Sequence, residues 1–331
     1  MQLSRRGFVG FWMLSAPVAM LATIGWTRRA VPGDQRGPVR AAEPTTIPGF
    51  AAFQSTVMTL ADERFLYVAS DGMPAHAMMV GIRSWQQQVP LPQPYSGDNA
   101  WRIPRHGMLA EQPISGRDRL FRGAIALAVN GVPVFNARNN RGEDAYLAGE
   151  LDEWGGHPGR ADDYHYHVAP LHLQVRVGAG DPIAYALDGF PIYGLTEPDG
   201  SPARSLDDLN GHQDAADGYH YHATTGYPYI NGGLRGVIDS VWDDQVEPQP
   251  RTTPIRQALE PLRGATVTGF EVTGPDAYAL TYHLGGQPYV VAYRREGSAY
   301  LFDFTSPSGQ TRSERYGQQR AQPKPERGGG R

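Results

Sequence analysis

One four-residue word occurs twice in this chain. Residues 164–167 read Tyr-His-Tyr-His, and residues 219–222 read the same. Each copy sits in a longer matching stretch. Residues 151–170 (LDEWGGHPGRADDYHYHVAP) align without a gap to 206–225 (LDDLNGHQDAADGYHYHATT), with identity at 10 of 20 positions. A second matching pair lies upstream: AVNGVPVF at 128–135 and ALDGFPIY at 186–193. Both octets read as apolar strand, Asx-Gly turn, proline, apolar strand. The offset is 58 residues for the octets and 55 for the histidine stretches, so the two units differ by a three-residue indel. The expectation is an internal duplication with pseudo-twofold symmetry, with units near 124–170 and 182–229. Two copies are too few for a solenoid.

The word has a physical reading. Side chains at i and i+2 of a strand share one face. A YHYH strand therefore presents His165 and His167 on one face and Tyr164 and Tyr166 on the other. His220 and His222 are set against Tyr219 and Tyr221 in the same way. A third imidazole stands eight residues earlier in each unit, at His157 and His212, after Gly155-Gly156 and Asn210-Gly211. Such pairs permit tight turns that fold each histidine back onto its strand. Three neutral imidazoles suit copper or zinc, and they leave one coordination position open. The predicted ligands are His157, His165 and His167 in one unit and His212, His220 and His222 in the other. Asp152 and Asp207, five residues before the first histidine of each set, are candidates to orient an imidazole through its second N–H. Turn formation is their commoner role. The four tyrosines are expected to pack behind the ligands or hydrogen-bond toward them. Spacing leaves open one shared centre or two separate ones.

Composition removes other chemistries. The chain has no cysteine, which excludes disulfides, thiolate ligands and a Cys nucleophile. Its single lysine, Lys324, lies in a polar tail, so the folded body has no P-loop or Schiff-base lysine. A net charge of −4 with no basic stripe offers nothing to nucleic acid. The 40 glycines and 28 prolines, with short apolar runs, suit a mainly β protein.

The expected organisation is a β-rich core domain over 49–250, preceded by a linker at 31–48. A small α+β module follows at 252–317. In it Ile255–Leu262 is the helix, and VTGFEV, AYALTYHL, PYVVAYR and AYLFDF are strands of an antiparallel sheet. Residues 318–331 read as a disordered polar tail. Residues 1–30 read as an export segment. Ser4-Arg5-Arg6-Gly7-Phe8-Val9 resembles a twin-arginine signal, and the apolar run from Phe8 to Trp26 is about long enough to span a bilayer. The body is therefore expected in the periplasm or elsewhere outside the cytoplasm, either released or tethered through this segment.

Taken together, these motifs resemble the YHYH-domain family. The resemblance rests on Y-H-Y-H at 164 and 219, G-G-H at 155, N-G-H at 210, L-D-G-F-P-I-Y-G at 187 and Y-P-Y at 227. It also rests on S-D-G-M-P-A-H at 70, which is similar to a Gly-x-Pro-x-His segment of the family and adds His76 to the candidate ligands. It spans about residues 50–240 and implies an exported protein with metal binding, without a settled activity. Members often carry Cys just before the two G-H pairs, where this chain has Trp154 and Leu209. That departure implies either a disulfide replaced by packing or a thiolate missing from the donor set.

Three functional readings follow. The first is an exported metal-binding protein, with copper ahead of zinc. The second is a His-ligated metalloenzyme, an oxidase or hydrolase, with Asp162, Asp163 or Asp217 as the available bases. The third is an envelope recognition module with structural histidines and an aromatic surface formed by Tyr193, Tyr227 and Tyr229.

Overall fold

The computed structural model describes residues 42–215, 218–252 and 254–317. The expected export segment, the polar tail and Asp217 lie outside them. Among the described residues no helix is long and apolar enough to cross a membrane.

Strands β1 (Glu43–Pro44), β2 (Met58–Ala61), β3 (Phe65–Ala69) and β4 (Trp101–Pro104) form an antiparallel four-stranded sheet. The fold thus begins inside the expected linker, and Ile47 is already buried in the core. Strand β5 (Leu109–Ser115) precedes a central eight-stranded sheet. Its first four strands are β6 (Ala124–Ala128), β7 (Pro133–Phe135), β8 (Gly156–Pro158) and β9 (Tyr164–Tyr166). The other four are β10 (Ala184–Ala186), β11 (Pro191–Tyr193), β12 (Gly211–Asp214) and β13 (Gly218–His222).

The spatial order in this sheet is β12-β13-β11-β10-β6-β7-β9-β8. From either edge it runs histidine hairpin, then the two strands flanking an Asx-Gly turn. At the centre β6 and β10 pair antiparallel, with Ala184 opposite Ala128, Tyr185 opposite Leu127 and Ala186 opposite Ala126. Both are buried along their whole length. This fits interior strands covered on both faces, whose sequences need not alternate.

Strand β14 (Gly233–Gly236) pairs with β5, and β15 (Ser240–Trp242) with β16 (Gln245–Glu247). The chain closes with an antiparallel meander of β17 (Thr266–Gly274), β18 (Ala277–Leu284), β19 (Gln287–Glu296), β20 (Ala299–Thr305) and β21 (Thr311–Gly317).

The C-terminal sheet is present as expected, but the helix at Ile255–Leu262 is not. That stretch is irregular, with a bend at Ile255-Arg256. Pro261 opposes a helix from within the run, and tertiary pairing holds its start. Arg256 donates to both carboxylate oxygens of Asp162, at 3.0 and 2.7 Å, and to the Gln87 carbonyl at 2.8 Å. The meander also docks by backbone bonds, from Leu262 to Trp85, from Gly81 to Val267 and from Val267 to Ile82. Its buried residues Ala265, Val267 and Phe270 join the same hydrophobic cluster as the central sheet.

Candidate metal centres

Each histidine cluster is built by one β-hairpin. In β8–β9, His157 lies directly opposite His165, and in β12–β13, His212 lies directly opposite His220. His167 and His222 follow two residues on, on the same face. The residues before each hairpin explain the G-G-H and N-G-H motifs. Gly155 (φ +82°) and Asn210 (φ +62°) occupy the left-handed region, where glycine and asparagine are tolerated best. At the next position a Cβ on Gly156 would come within 2.5 Å of the Tyr164 Oη, and one on Gly211 would overlap the Tyr219 Oη. The phenol of each first YHYH tyrosine thus needs a glycine beneath it.

Those phenols point away from the imidazoles, as strand alternation predicts. Tyr164 donates to Asp152 Oδ2 at 2.7 Å and Tyr219 to Asp207 Oδ2 at 2.8 Å. Tyr221 donates to Asp188 at 2.6 Å, and the Tyr166 Oη meets His76 Nε2 at 2.8 Å. Asp152 and Asp207 bond no imidazole. Their other contacts are turn amides: Trp154, Gly156 and Met79 for Asp152, and Leu209 and Gly211 for Asp207. Burial pushes the Asp152 carboxyl up to about 6, against these hydrogen bonds.

Backbone carbonyls orient the imidazoles instead. In the first cluster the Nδ1 of His165 faces the Asp163 carbonyl at 2.9 Å, that of His167 faces the Asn136 carbonyl, and His157 bonds the Glu150 backbone. A carbonyl only accepts, so each Nδ1 facing one carries the proton and the Nε2 lone pair turns inward. His157 Nε2 and His165 Nε2 stand 3.1 and 3.2 Å from His167 Nε2. Burial holds all three imidazoles below their ordinary range, so the site is neutral and acceptor-rich.

The second cluster repeats this arrangement and adds a carboxylate. His220 Nδ1 faces the Gly218 carbonyl and His222 Nδ1 the Gly194 carbonyl, both at 3.2 Å. His212 Nε2 and His220 Nε2 are 2.9 Å apart. Glu197 Oε1 lies 3.2 Å from His212 Nε2, and its Oε2 lies 3.2 Å from the Nε2 of both His220 and His222. His222 Nε2 is fully buried and makes no hydrogen bond at that distance. Lone pairs held against a carboxylate are a donor set for a cation.

Ligand atoms of His157, His165 and His167 form one group within metal-binding reach of one another, and those of Glu197, His212, His220 and His222 form another. A tetrahedral ion with metal–nitrogen bonds of about 2.0–2.1 Å separates its donors by about 3.3 Å, close to the spacings here. The two groups are separate. Four strands stand between β9 and β13, about 24 Å at ordinary strand spacing.

His76 joins neither group. It stacks on Trp154 at 4.9 Å and meets the edge of His172 at 4.9 Å, behind the first hairpin. Trp154 is thus part of an aromatic cluster, and Leu209 is buried in the core. Asp162 is buried in its pair with Arg256 rather than solvated. Asp163 lines the cavity beside the first cluster, and burial pushes its carboxyl up to about 7.

Glu197 was missed by sequence reasoning. Counting 58 residues back from it gives Asn139, so the repeat supplies no second glutamate to draw attention to the position. The orienting carbonyls leave no sequence signal, since nearly every position offers one.

Residues 100–205 match the family model described as YHYH protein, and the motif-based resemblance is shown over that stretch. The matched stretch contains the first cluster and Glu197 but ends before His212. No curated protein and no solved structure matches the chain.

Proposed function

We propose that this chain is an exported metal-binding protein with two mononuclear centres, one at His157, His165 and His167 and one at His212, His220, His222 and Glu197. The observation that carries the reading is the inward turn of the Nε2 lone pairs. His165 and His167 each spend their one N–H on a carbonyl, so their Nε2 atoms, 3.2 Å apart, have no proton to share. Facing lone pairs repel, and a cation between them removes the repulsion. All-imidazole and imidazole–carboxylate donor sets suit divalent first-row ions, with copper ahead of zinc on intrinsic affinity. The repeated motifs and the strand order that reads alike from both edges support an origin by internal duplication. The twin-arginine-like segment supports export of the folded, loaded protein.

The test is elemental analysis of protein purified through its own export route. About two equivalents of copper or zinc are expected in the intact protein, and about one in each of His167→Gln and the double variant His220→Gln, His222→Gln. Metal-free intact protein that remains folded would sink the reading.

A second reading, a metalloenzyme, is favoured by one observation. A cavity of about 510 Å³ opens onto His157, His165 and His167, as a substrate pocket would.

A further inference from the structure

The two clusters sit in matching frames, but their fourth corners differ. The Asn139 amide donates to the Glu143 carbonyl at 2.8 Å, and Glu197 donates to the Ser201 carbonyl at 2.8 Å. Gly142 bonds back to Asn139, and Gly200 bonds back to Glu197. Asn139 and Glu197 therefore occupy equivalent places in equivalent loops. Glu197 turns its carboxylate into the second cluster. The Asn139 side chain is engaged elsewhere, donating to Glu143 and Glu150, both at 3.2 Å. Glu150 is itself held by Arg141 and is not among the atoms that converge on the first site.

We infer that the two centres have different jobs: Glu197 closes the second as a four-ligand site, and the first is an exchange site that takes a small anion as its fourth donor. This rests on the metal-binding reading. Three protein ligands with an open position are the pattern of reactive centres, and four protein ligands that of structural ones. Charge favours an anion. Glu197 offsets one charge of a divalent ion in the second site, whereas three neutral imidazoles offset none in the first. The cavity above the first site is lined by Arg122, Arg141 and Arg160 beside Glu150 and Asp163, with Arg122 paired to Asp243 and Arg141 to Glu143 and Glu150. A metal dication held by neutral ligands in a concave site concentrates small anions. Donors of this class include azide, carboxylates and inorganic oxyanions.

The experiment uses Co(II) as a coloured substitute and azide as the probe, on the full chain. In the His220→Gln, His222→Gln protein, which keeps two of the four donors of the second site and all of the first, azide should shift the visible cobalt bands in a saturable titration. In His167→Gln, which keeps only the second, azide should leave them unchanged. When Asn139→Glu is added to the His220→Gln, His222→Gln protein, the azide response should be lost while cobalt stays bound. If a variant fails to fold, the intact protein loaded with two equivalents serves: azide should then perturb the spectrum of one equivalent only. Equal azide responses at both sites, or at neither with cobalt bound, would overturn the inference and leave metal binding standing. Failure of cobalt to bind at either site would overturn both.

Discussion

Tyr164 donates its phenol O–H to Asp152 across 2.7 Å, on the face of the hairpin opposite the imidazoles. The bond ties the YHYH strand to the turn that launches His157. Removing it in Tyr164→Phe leaves a buried carboxylate oxygen with one donor fewer, at a cost of about 1–3 kcal/mol. Urea unfolding should show this loss, and Tyr219→Phe should show a smaller one because Tyr219 is the less buried of the pair. Metal stoichiometry should be unchanged in both, because neither phenol faces the ligands.

Gly156→Ala should do what the tyrosine change does not. The new methyl meets the Tyr164 phenol and the His165 carbonyl. Overpacking of this kind costs about 1–3 kcal/mol. Because His157 is the next residue, the hairpin must shift its ligand. Metal affinity at the first site should fall and that at the second should hold, as read by competition with a chelator.

Glu197→Gln should weaken the second site alone. The amide keeps the shape but loses the charge and one good donor oxygen. Metal retention during dialysis against chelator should drop at the cluster of His212, His220 and His222, with the first cluster unaffected.

Acid should erode the stability that neutral His76 and His172 lend the metal-free protein. Burial lowers His76 and His172 from 6.5 to about 4, so both are neutral when folded at neutral pH. Between pH 6.5 and 4 the unfolded chain binds more protons at these residues than the folded one. Their contribution is therefore full above about 6.5 and falls as pH drops toward 4, while the raised carboxyls of Asp152 and Asp163 act in the opposite sense. The His76→Gln, His172→Gln double variant should show a shallower fall in thermal midpoint over that range. Dependence on pH should remain, since burial also lowers His157, His165, His167 and His222.

Arg256→Ala should be among the most damaging single changes outside the clusters. The Asp162 side chain is 1% exposed and that of Arg256 is 6%, so the variant strands a buried carboxylate. Breaking one partner of a buried pair costs about 3–5 kcal/mol. Arg256→Ala with Asp162→Asn should recover much of that loss in the same unfolding measurement.

The pair at Asp162 and Arg256 also marks where reading the sequence stops. The run Ile255–Leu262 has an apolar pattern that a short helix would satisfy, but Pro261 lacks an N–H and biases Glu260 away from helical backbone. What the sequence does not show is the carboxylate 94 residues away that takes Arg256. His76 is a similar case. Its Gly-x-Pro-x-His setting marks it as special, but only the fold shows it packed against Trp154 and His172 rather than beside a cluster. Asp152 and Asp207 were placed near their histidines by spacing, and the turn amides claimed them first.

By itself the sequence determined the hairpin-borne histidine triplets. Strand alternation, a glycine-permitted turn and an eight-residue interval are local geometry, and they bring His157 to His165 and His212 to His220 whatever surrounds them. It also determined the mainly β character and the C-terminal sheet, through short apolar runs between Gly, Pro and Asp. Only the tertiary structure decided that the two clusters stand four strands apart, because strand order depends on which edges pair. Only it brought Glu197 to one cluster and turned Asn139 away from the other. Those placements depend on loop partners far along the chain, which no local pattern encodes.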